Sequence, residues 1–170
     1  MDTNHLIDIV NDKDEVIGQD TKENKFAKES ISRNVVAFIK NGKGELIIVK
    51  RSPNKRSWPN RLDLATCGNV DCSETYEQAI KREVKEEIGI ECELKMIDKI
   101  YTEVQENGKM VRYFTGVFQG QTDQEPVLCD ELLELRHMSV KDLSRMMDEE
   151  PDKFSPSFIK ELKEFEEVLS

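Results

Sequence analysis

Histidine is almost missing from this chain: only His5 and His137 are present. The four cysteines, Cys67, Cys72, Cys92 and Cys129, are scattered and form no Cys-x-x-Cys pair. Both shortages argue against a closed zinc site and leave reduced, mostly structural thiols as the expectation. No apolar run approaches the ~20 residues that cross a bilayer. Met1-Asp2-Thr3-Asn4-His5 lacks the basic and apolar regions of a signal peptide. A soluble, cytoplasmic protein without a membrane partner is therefore expected. Positive charge is short as well: 25 Lys and Arg against 35 Asp and Glu give a net charge of −10. A nucleic acid polymer needs a basic footprint, so none is expected as a partner. No linker, repeat or low-complexity tract divides the 170 residues. One domain over 1–170 is expected, long enough to bury a core without staples.

Against this background one segment stands out. From Gly68 to Ile90 the chain reads Gly68, five residues, Glu74, seven residues, then Arg82-Glu83-Val84-Lys85-Glu86-Glu87-Ile88-Gly89-Ile90. Glu83, Glu86 and Glu87 stand at i, i+3 and i+4, which a helix places on neighbouring rows. At 100° per residue, Ile80, Val84 and Ile88 make one apolar stripe. Glu87 falls inside that stripe, Glu83 at its edge and Glu86 one step beyond. Ala79, one turn before Glu83, leaves room above the acids. A solvated surface helix has no reason to carry carboxylates into its buried seam. Three anions so close repel one another unless a cation joins them. Hard oxygen donors of this kind suit Mg²⁺.

The same segment resembles a complete Nudix box: Gly, x5, Glu, x7, Arg-Glu-apolar-x-Glu-Glu-x-Gly-apolar. Gly68, Glu74, Arg82, Glu83, Val84, Glu86, Glu87, Gly89 and Ile90 fill every specified position. The resemblance implies an α/β fold: a Nudix-type α/β/α sandwich with a mixed sheet and the box as loop–helix–loop. It implies a hydrolase of small diphosphates, such as nucleoside diphosphate derivatives, with Mg²⁺, or Mn²⁺ in its place, on Glu83, Glu86 and Glu87. Glu83 or Glu86 would serve as general base. Gly68, Glu74, Arg82 and Gly89 would be structural, with Arg82 pairing a carboxylate of the box. A further acid often completes such a site, and Asp130, Glu131, Glu134, Glu103 and Glu106 are candidates. The sequence does not choose among them, nor does it give an oligomeric state.

The layout also resembles the branch of that superfamily containing type I isopentenyl-diphosphate isomerase. Thr66-Cys67-Gly68 is similar to the motif that holds the isomerase's catalytic cysteine. The pattern then departs. Asn69 stands where the isomerase has a metal-binding histidine, and Val111 and Tyr113 stand where its acids fall. Hydrolase is the expected activity, with isomerase, or a nucleotide-binding sensor without turnover, as the alternatives.

Residues 50–61 contain Lys50, Arg51, Lys55, Arg56 and Arg61 and no acid. In so acidic a chain that reversal can hold substrate phosphates. Arg51, at a strand end, is the favoured residue, because the resemblance places a phosphate-binding arginine there. Trp58, the only tryptophan, is expected to plug the core, with stacking on a base as its other use. Patterning predicts a hairpin and short helix over 1–30 and strands over 35–39 and 45–49. It predicts one strand over 62–67, a box helix starting near Ser73 and ending at Gly89, and strands over 92–105, 109–118 and 135–138. Terminal helices are expected over 139–148 and 155–168, within a C-terminal region 139–170.

Overall fold

The computed structural model describes residues 5–55, 57–130 and 132–170. Met1–Asn4, Arg56 of the basic segment and Glu131 of the candidate acids lie outside the described residues. The architecture is mixed α/β, with nine strands in one sheet. In chain order the elements are β1 (Leu6–Val10), β2 (Val16–Thr21), α1 (Lys22–Ala27), β3 (Ile31–Lys40), β4 (Leu46–Arg51), β5 (Leu62–Leu64), β6 (Thr66–Asn69), α2 (Tyr76–Ile88), β7 (Leu94–Glu106), β8 (Lys109–Gln121), β9 (Leu132–Met138), α3 (Val140–Glu149) and α4 (Pro156–Leu169). A single 3₁₀ turn, Pro151–Lys153, joins the last two helices and has no counterpart in the sequence expectations. Among the described residues no helix is long and apolar enough to cross a membrane.

The chain forms two compact units. The first comprises the described residues through Ala37, Cys67–Glu83 and Leu94–Gln119. Its antiparallel β1–β2 hairpin runs from Leu6↔Thr21 to Val10↔Val16, with a bulge at Ile9/Val10. β1 then pairs with β3 at Val10↔Ile31. β6 and β8 both pair with β3, and β7 pairs with β8. The hairpin turn is made by Asn11, whose Oδ1 accepts from the backbone N–H groups of Lys13 (2.9 Å) and Glu15 (3.0 Å). A side-chain oxygen that copies a backbone acceptor is the usual turn device of asparagine. Asp14 takes the left-handed conformation there, at φ 61°. Its carboxylate accepts from Arg33 Nε (2.6 Å), Tyr76 Oη (2.8 Å) and Lys99 Nζ (2.8 Å). Burial raises its pKa, but Lys99, Arg33 and Tyr76 together outweigh that and hold it below the usual carboxylate range.

The second unit comprises Phe38–Thr66, Val84–Glu93 and Gly120–Ser170. β4 is its central strand. It pairs with β5 through Ile48↔Leu64, Val49↔Asp63 and Lys50↔Leu62, and with β9 from Leu46↔Met138 to Arg51↔Leu132. Asn41 repeats the device of Asn11, accepting from Lys43 and Glu45 N–H groups at 3.0 Å each, and Gly44 takes the left-handed position. Ser139 caps α3 by accepting from Asp142 N, and Ser155 caps α4 by accepting from Phe158 N, with Pro156 at the first helical position. Val140, Leu143 and Met147 of α3 are buried, as are Phe158, Leu162, Phe165 and Leu169 of α4. Those spacings of three and four are the one-sided apolar stripe of an amphipathic helix. Phe165 packs on Phe38 with ring centroids 6.1 Å apart.

Most expected elements shift by a few residues at their ends, and two change more substantially. The strand expected over 62–67 is two strands, β5 and β6, broken at Ala65. The box helix begins at Tyr76, not near Ser73, because Ser73 sits at φ 66°, outside helical space. The capping group is Thr75 instead. Its Oγ1 accepts from Gln78 N at 3.1 Å, while Gln78 Oε1 accepts from Thr75 N at 2.9 Å. That reciprocal pair is a capping box, and it satisfies two of the N–H groups a helix start leaves open.

Candidate functional site

The box helix α2 keeps the expected angular order. Ile80, Val84 and Ile88 are buried, and so is Ala79. Glu83 and Glu87 are partly buried and Glu86 is exposed. The helix ends at Gly89, whose φ of 64° is the left-handed cap that glycine adopts without steric penalty. Its N–H bonds the Lys85 carbonyl at 3.1 Å.

Arg82 organises the first unit's part of the box. Its Nε and Nη2 donate to the two oxygens of Glu74 at 2.7 and 2.9 Å. Nη1 donates to Glu83 Oε1 at 2.7 Å, and Nη2 also reaches the Asn69 carbonyl at 3.0 Å. Asp71 Oδ2 lies 3.4 Å from Nη2. The planar fork of arginine suits this work, because one guanidinium can satisfy several acceptors in fixed directions. The Arg82 hydrogen bond holds the Glu74 carboxyl below its usual range against the opposing effect of burial. Glu74 Oε2 in turn accepts from Asp71 N at 2.9 Å, closing the loop between β6 and α2. The loop is tied to β1 as well: Cys72 N donates to the Leu6 carbonyl and Ser73 N to Asp8 Oδ2, each at 3.1 Å.

Glu83 is set by one further contact. A Cβ built on Gly68 would lie 2.1 Å from the Glu83 carboxyl carbon and 2.2 and 2.6 Å from its oxygens. Only glycine lets β6 pass that close. The Glu83 side chain, 14% exposed, is thus pinned between the Gly68 backbone and Arg82. Cys67 beside it is exposed, and no disulfide joins any of the four cysteines. Thr66 is fully buried, and its hydroxyl has no hydrogen-bond partner among the described residues.

Among the described residues no three His, Cys, Asp or Glu side chains converge tightly enough to cage an ion. Mg²⁺ does not require such a cage. It keeps several waters and is commonly held by one or two carboxylates together with substrate phosphates. The donor set on α2, all carboxylate oxygen, fits that chemistry, with Glu86 on the open side of the helix.

In the second unit, the chain after β8 returns to the end of α2. Val127 N donates to the Ile88 carbonyl at 2.9 Å and Cys129 N to the Glu87 carbonyl at 3.2 Å. Asp130 is the next residue, so it is the candidate acid whose chain segment docks on the helix end. Glu134 lies on β9 and pairs with Arg136 at 2.6 Å. Glu103 accepts from Tyr101 Oη, and Glu106 closes β7.

Arg51 ends β4, as expected, and is firmly held. Nη1 donates to Asp63 Oδ2 at 3.0 Å and Nε to the Ser57 carbonyl at 3.0 Å. Asp63 is buried and also accepts from Leu64 N at 2.8 Å. Burial lifts its pKa above the usual range despite the Arg51 charge. On α4, burial and then the Asp63 charge push Glu161 up to about 8. Sequence reasoning missed this acid pair, since no local pattern joins β5 to α4. Trp58 corrects an expectation: it is 47% exposed and does not plug the core. The loop turns the ring outward at φ 50°, and Arg61 stacks on it 4.8 Å from the ring centroid.

Comparisons with known proteins show the family. A NUDIX domain model matches residues 31–158. A Nudix hydrolase of Deinococcus radiodurans is 42% identical over 85 residues, 50% of this chain and 50% of that protein. The match therefore spans about half the length of that relative. An isopentenyl-diphosphate Delta-isomerase of Enterobacter sp. (strain 638) is 31% identical over 172 residues, covering 97% of this chain and 92% of that protein. The crystal structure of DR0079 from Deinococcus radiodurans matches with a TM-score of 0.75 at 25% identity, over 94% of this chain and 98% of that one. Nudix hydrolases are typically Mg²⁺-dependent and act on pyrophosphate bonds. Motif, fold and relatives lead to one conclusion: this chain belongs to the Nudix family.

Proposed function

We propose that the chain is a pyrophosphohydrolase that cleaves the diphosphate of a nucleoside diphosphate derivative or related small diphosphate, using Mg²⁺ or Mn²⁺. The observation that carries this reading is the acidic face of α2, with Glu83 wedged against Gly68 and locked by Arg82. Glu83, Glu86 and Glu87 hold the cation. When bound, it neutralises diphosphate charge and lowers the pKa of water. Glu83 or Glu86 takes the proton from the attacking water, and Asp130 is the favoured additional acid. Arg51, oriented by Asp63 and Ser57, binds a phosphate oxygen. Its fixed fork stabilises charge that grows in the transition state without further reorganisation. Arg82, Glu74 and Gly68 position Glu83. The family match over 31–158 covers parts of both units, which supports treating 1–170 as one Nudix domain.

The near full-length match to an isomerase supports a second reading, allylic isomerisation at Cys67. Asn69, Val111 and Tyr113 weigh against it, since none supplies the imidazole or carboxylate that the isomerase resemblance requires. The test is to incubate the protein and Mg²⁺ with a panel of nucleoside diphosphate derivatives and isopentenyl diphosphate, then identify products. Cleavage at the diphosphate supports the hydrolase. Appearance of the allylic isomer, or no product from any substrate, refutes it.

A further inference from the structure

A half-exposed tryptophan on a strained loop needs a reason. Trp58 and Asn60 both adopt left-handed backbone conformations, at φ 50° and 63°. Bulky residues avoid that region, and such strain persists only where the surroundings over-determine it. Here the surroundings are specific. Asn60 N donates to the Arg51 carbonyl at 3.1 Å, and Arg51 N donates to the Arg61 carbonyl at 2.9 Å. Arg51 Nε holds the Ser57 carbonyl at 3.0 Å. Arg61 Nη1 donates to the Phe154 carbonyl at 3.2 Å while its guanidinium stacks on the indole. Residues on both sides of Trp58 are thus tied to Arg51, and one face of the ring is backed by an anchored cation. The loop fixes an aromatic plate beside a phosphate-binding candidate.

The occupant follows from the chemistry. Lys50, Arg51, Lys55 and Arg61 flank Trp58 in the sequence of a chain of net charge −10, and Arg61 lies on the ring itself. A ligand suited to it is an anion that also carries a flat π-face. A prenyl chain has no such face and favours an enclosed apolar pocket, whereas every nucleobase can stack on an indole. We propose that Trp58 is the platform on which the base of a nucleoside diphosphate derivative stacks while Arg51 takes one of its phosphates. This rests on the hydrolase reading above and adds the residue that makes the substrate a nucleotide.

Trp58 is the only tryptophan, so tryptophan emission, excited selectively over the three tyrosines, reports on it alone. The experiment titrates the full chain, with Mg²⁺, with ADP, CDP, GDP, UDP, inorganic diphosphate and isopentenyl diphosphate, following both emission and heat of binding. At least one nucleoside diphosphate should change emission saturably, and neither diphosphate lacking a base should. Trp58→Ala should weaken that nucleotide's Kd by about ten- to a hundredfold and leave the Kd of inorganic diphosphate unchanged, while Trp58→Phe should keep most of the affinity. Binding of nucleotides without an emission change, an equal change with inorganic diphosphate, or no nucleotide binding at all overturns the proposal. Hydrolysis of a small diphosphate with a silent Trp58 sinks the platform and spares the hydrolase. An emission change without turnover of any substrate does the reverse.

Discussion

Replacing Gly68 by alanine is the sharpest test of how Glu83 is placed. Gly68 is not in the left-handed region, so its backbone accepts alanine and only the added methyl group matters. That methyl would meet the Glu83 carboxyl carbon at 2.1 Å, whereas ordinary contact begins at 3.4 Å. The carboxylate must therefore move by about 1.3 Å or more. Arg82 Nη1 sits 2.7 Å from Glu83 Oε1, and such a shift removes that bond. A charge-assisted hydrogen bond is worth about 1.5–3 kcal/mol. Restricting the unfolded chain by Gly→Ala returns about 0.4–1 kcal/mol. A net loss of about 1–2 kcal/mol is expected. Arg82 keeps its two bonds to Glu74, so the fold survives. A misplacement above 1 Å should also lower kcat/KM by about a hundredfold and weaken Mg²⁺ binding. The assay is a double-mutant cycle by urea unfolding, with calorimetric Mg²⁺ titration. In a Glu83→Ala background the collision has no partner, and Gly68→Ala should become neutral or mildly stabilising. Additive effects in the cycle would refute the reasoning. Gly89→Ala is the contrasting control. There the nearest atom, Val127 Cβ at 3.5 Å, is in ordinary contact, and the cost of about 1–2 kcal/mol comes from φ 64° alone, with no coupling to Glu83.

Four further outcomes are expected. Glu86→Gln or Glu87→Gln should abolish turnover and weaken Mg²⁺ binding while apo stability, read by thermal unfolding, holds or rises as anion repulsion falls; wild-type kcat in either sinks the metal assignment. Arg51→Ala should cost about ten- to a hundredfold in kcat/KM, and Lys55→Ala less, because a flexible ammonium is a replaceable point charge; equal wild-type behaviour makes the segment plain surface. Glu161 has its pKa raised from 4.5 to about 8, so between those values the folded state retains a proton that the unfolded state has released. Stability should then fall as pH rises from 5 to 8, and Glu161→Gln should flatten the slope by about 1–3 kcal/mol in urea melts; an unchanged slope contradicts the burial argument. Cys67→Ala should keep most hydrolytic activity, and any isomer formation that disappears with it would overturn the hydrolase reading.

The box was legible because its determinants are local. Spacing alone put Ile80, Val84 and Ile88 in the buried seam and Gly89 at the helix end, and a helix repeats that geometry wherever it packs. Legibility stops where partners are distant or strain intervenes. Ser73 looked like a helix cap, yet its side of the loop is pulled to Asp8 and Leu6, 65 and 66 residues away, which leaves the cap to Thr75 and Gln78. Asp14 reads as an ordinary turn acid, although three donors from β3, α2 and β7 converge on it. Trp58 is expected in the core, with base stacking as its other use, because large aromatics are buried on average. The left-handed backbone that turns it outward leaves no trace in residue type.

The stretch Thr66–Asn69 bears on the choice between the proposed hydrolase and the isomerase reading. Gly68 yields its side-chain space to Glu83, and the Asn69 carbonyl serves Arg82. Both contributions are made by backbone, so they constrain where β6 runs without dictating the side chains at 67 and 69. A cysteine and a histidine there, with acids at 111 and 113, would give the isomerase pattern; this chain has Cys67, Asn69, Val111 and Tyr113. Asparagine offers one neutral amide oxygen and valine offers nothing, so this set lacks the imidazole and carboxylates of the isomerase pattern. The carboxylate face of α2 is what favours the proposed hydrolysis over isomerisation.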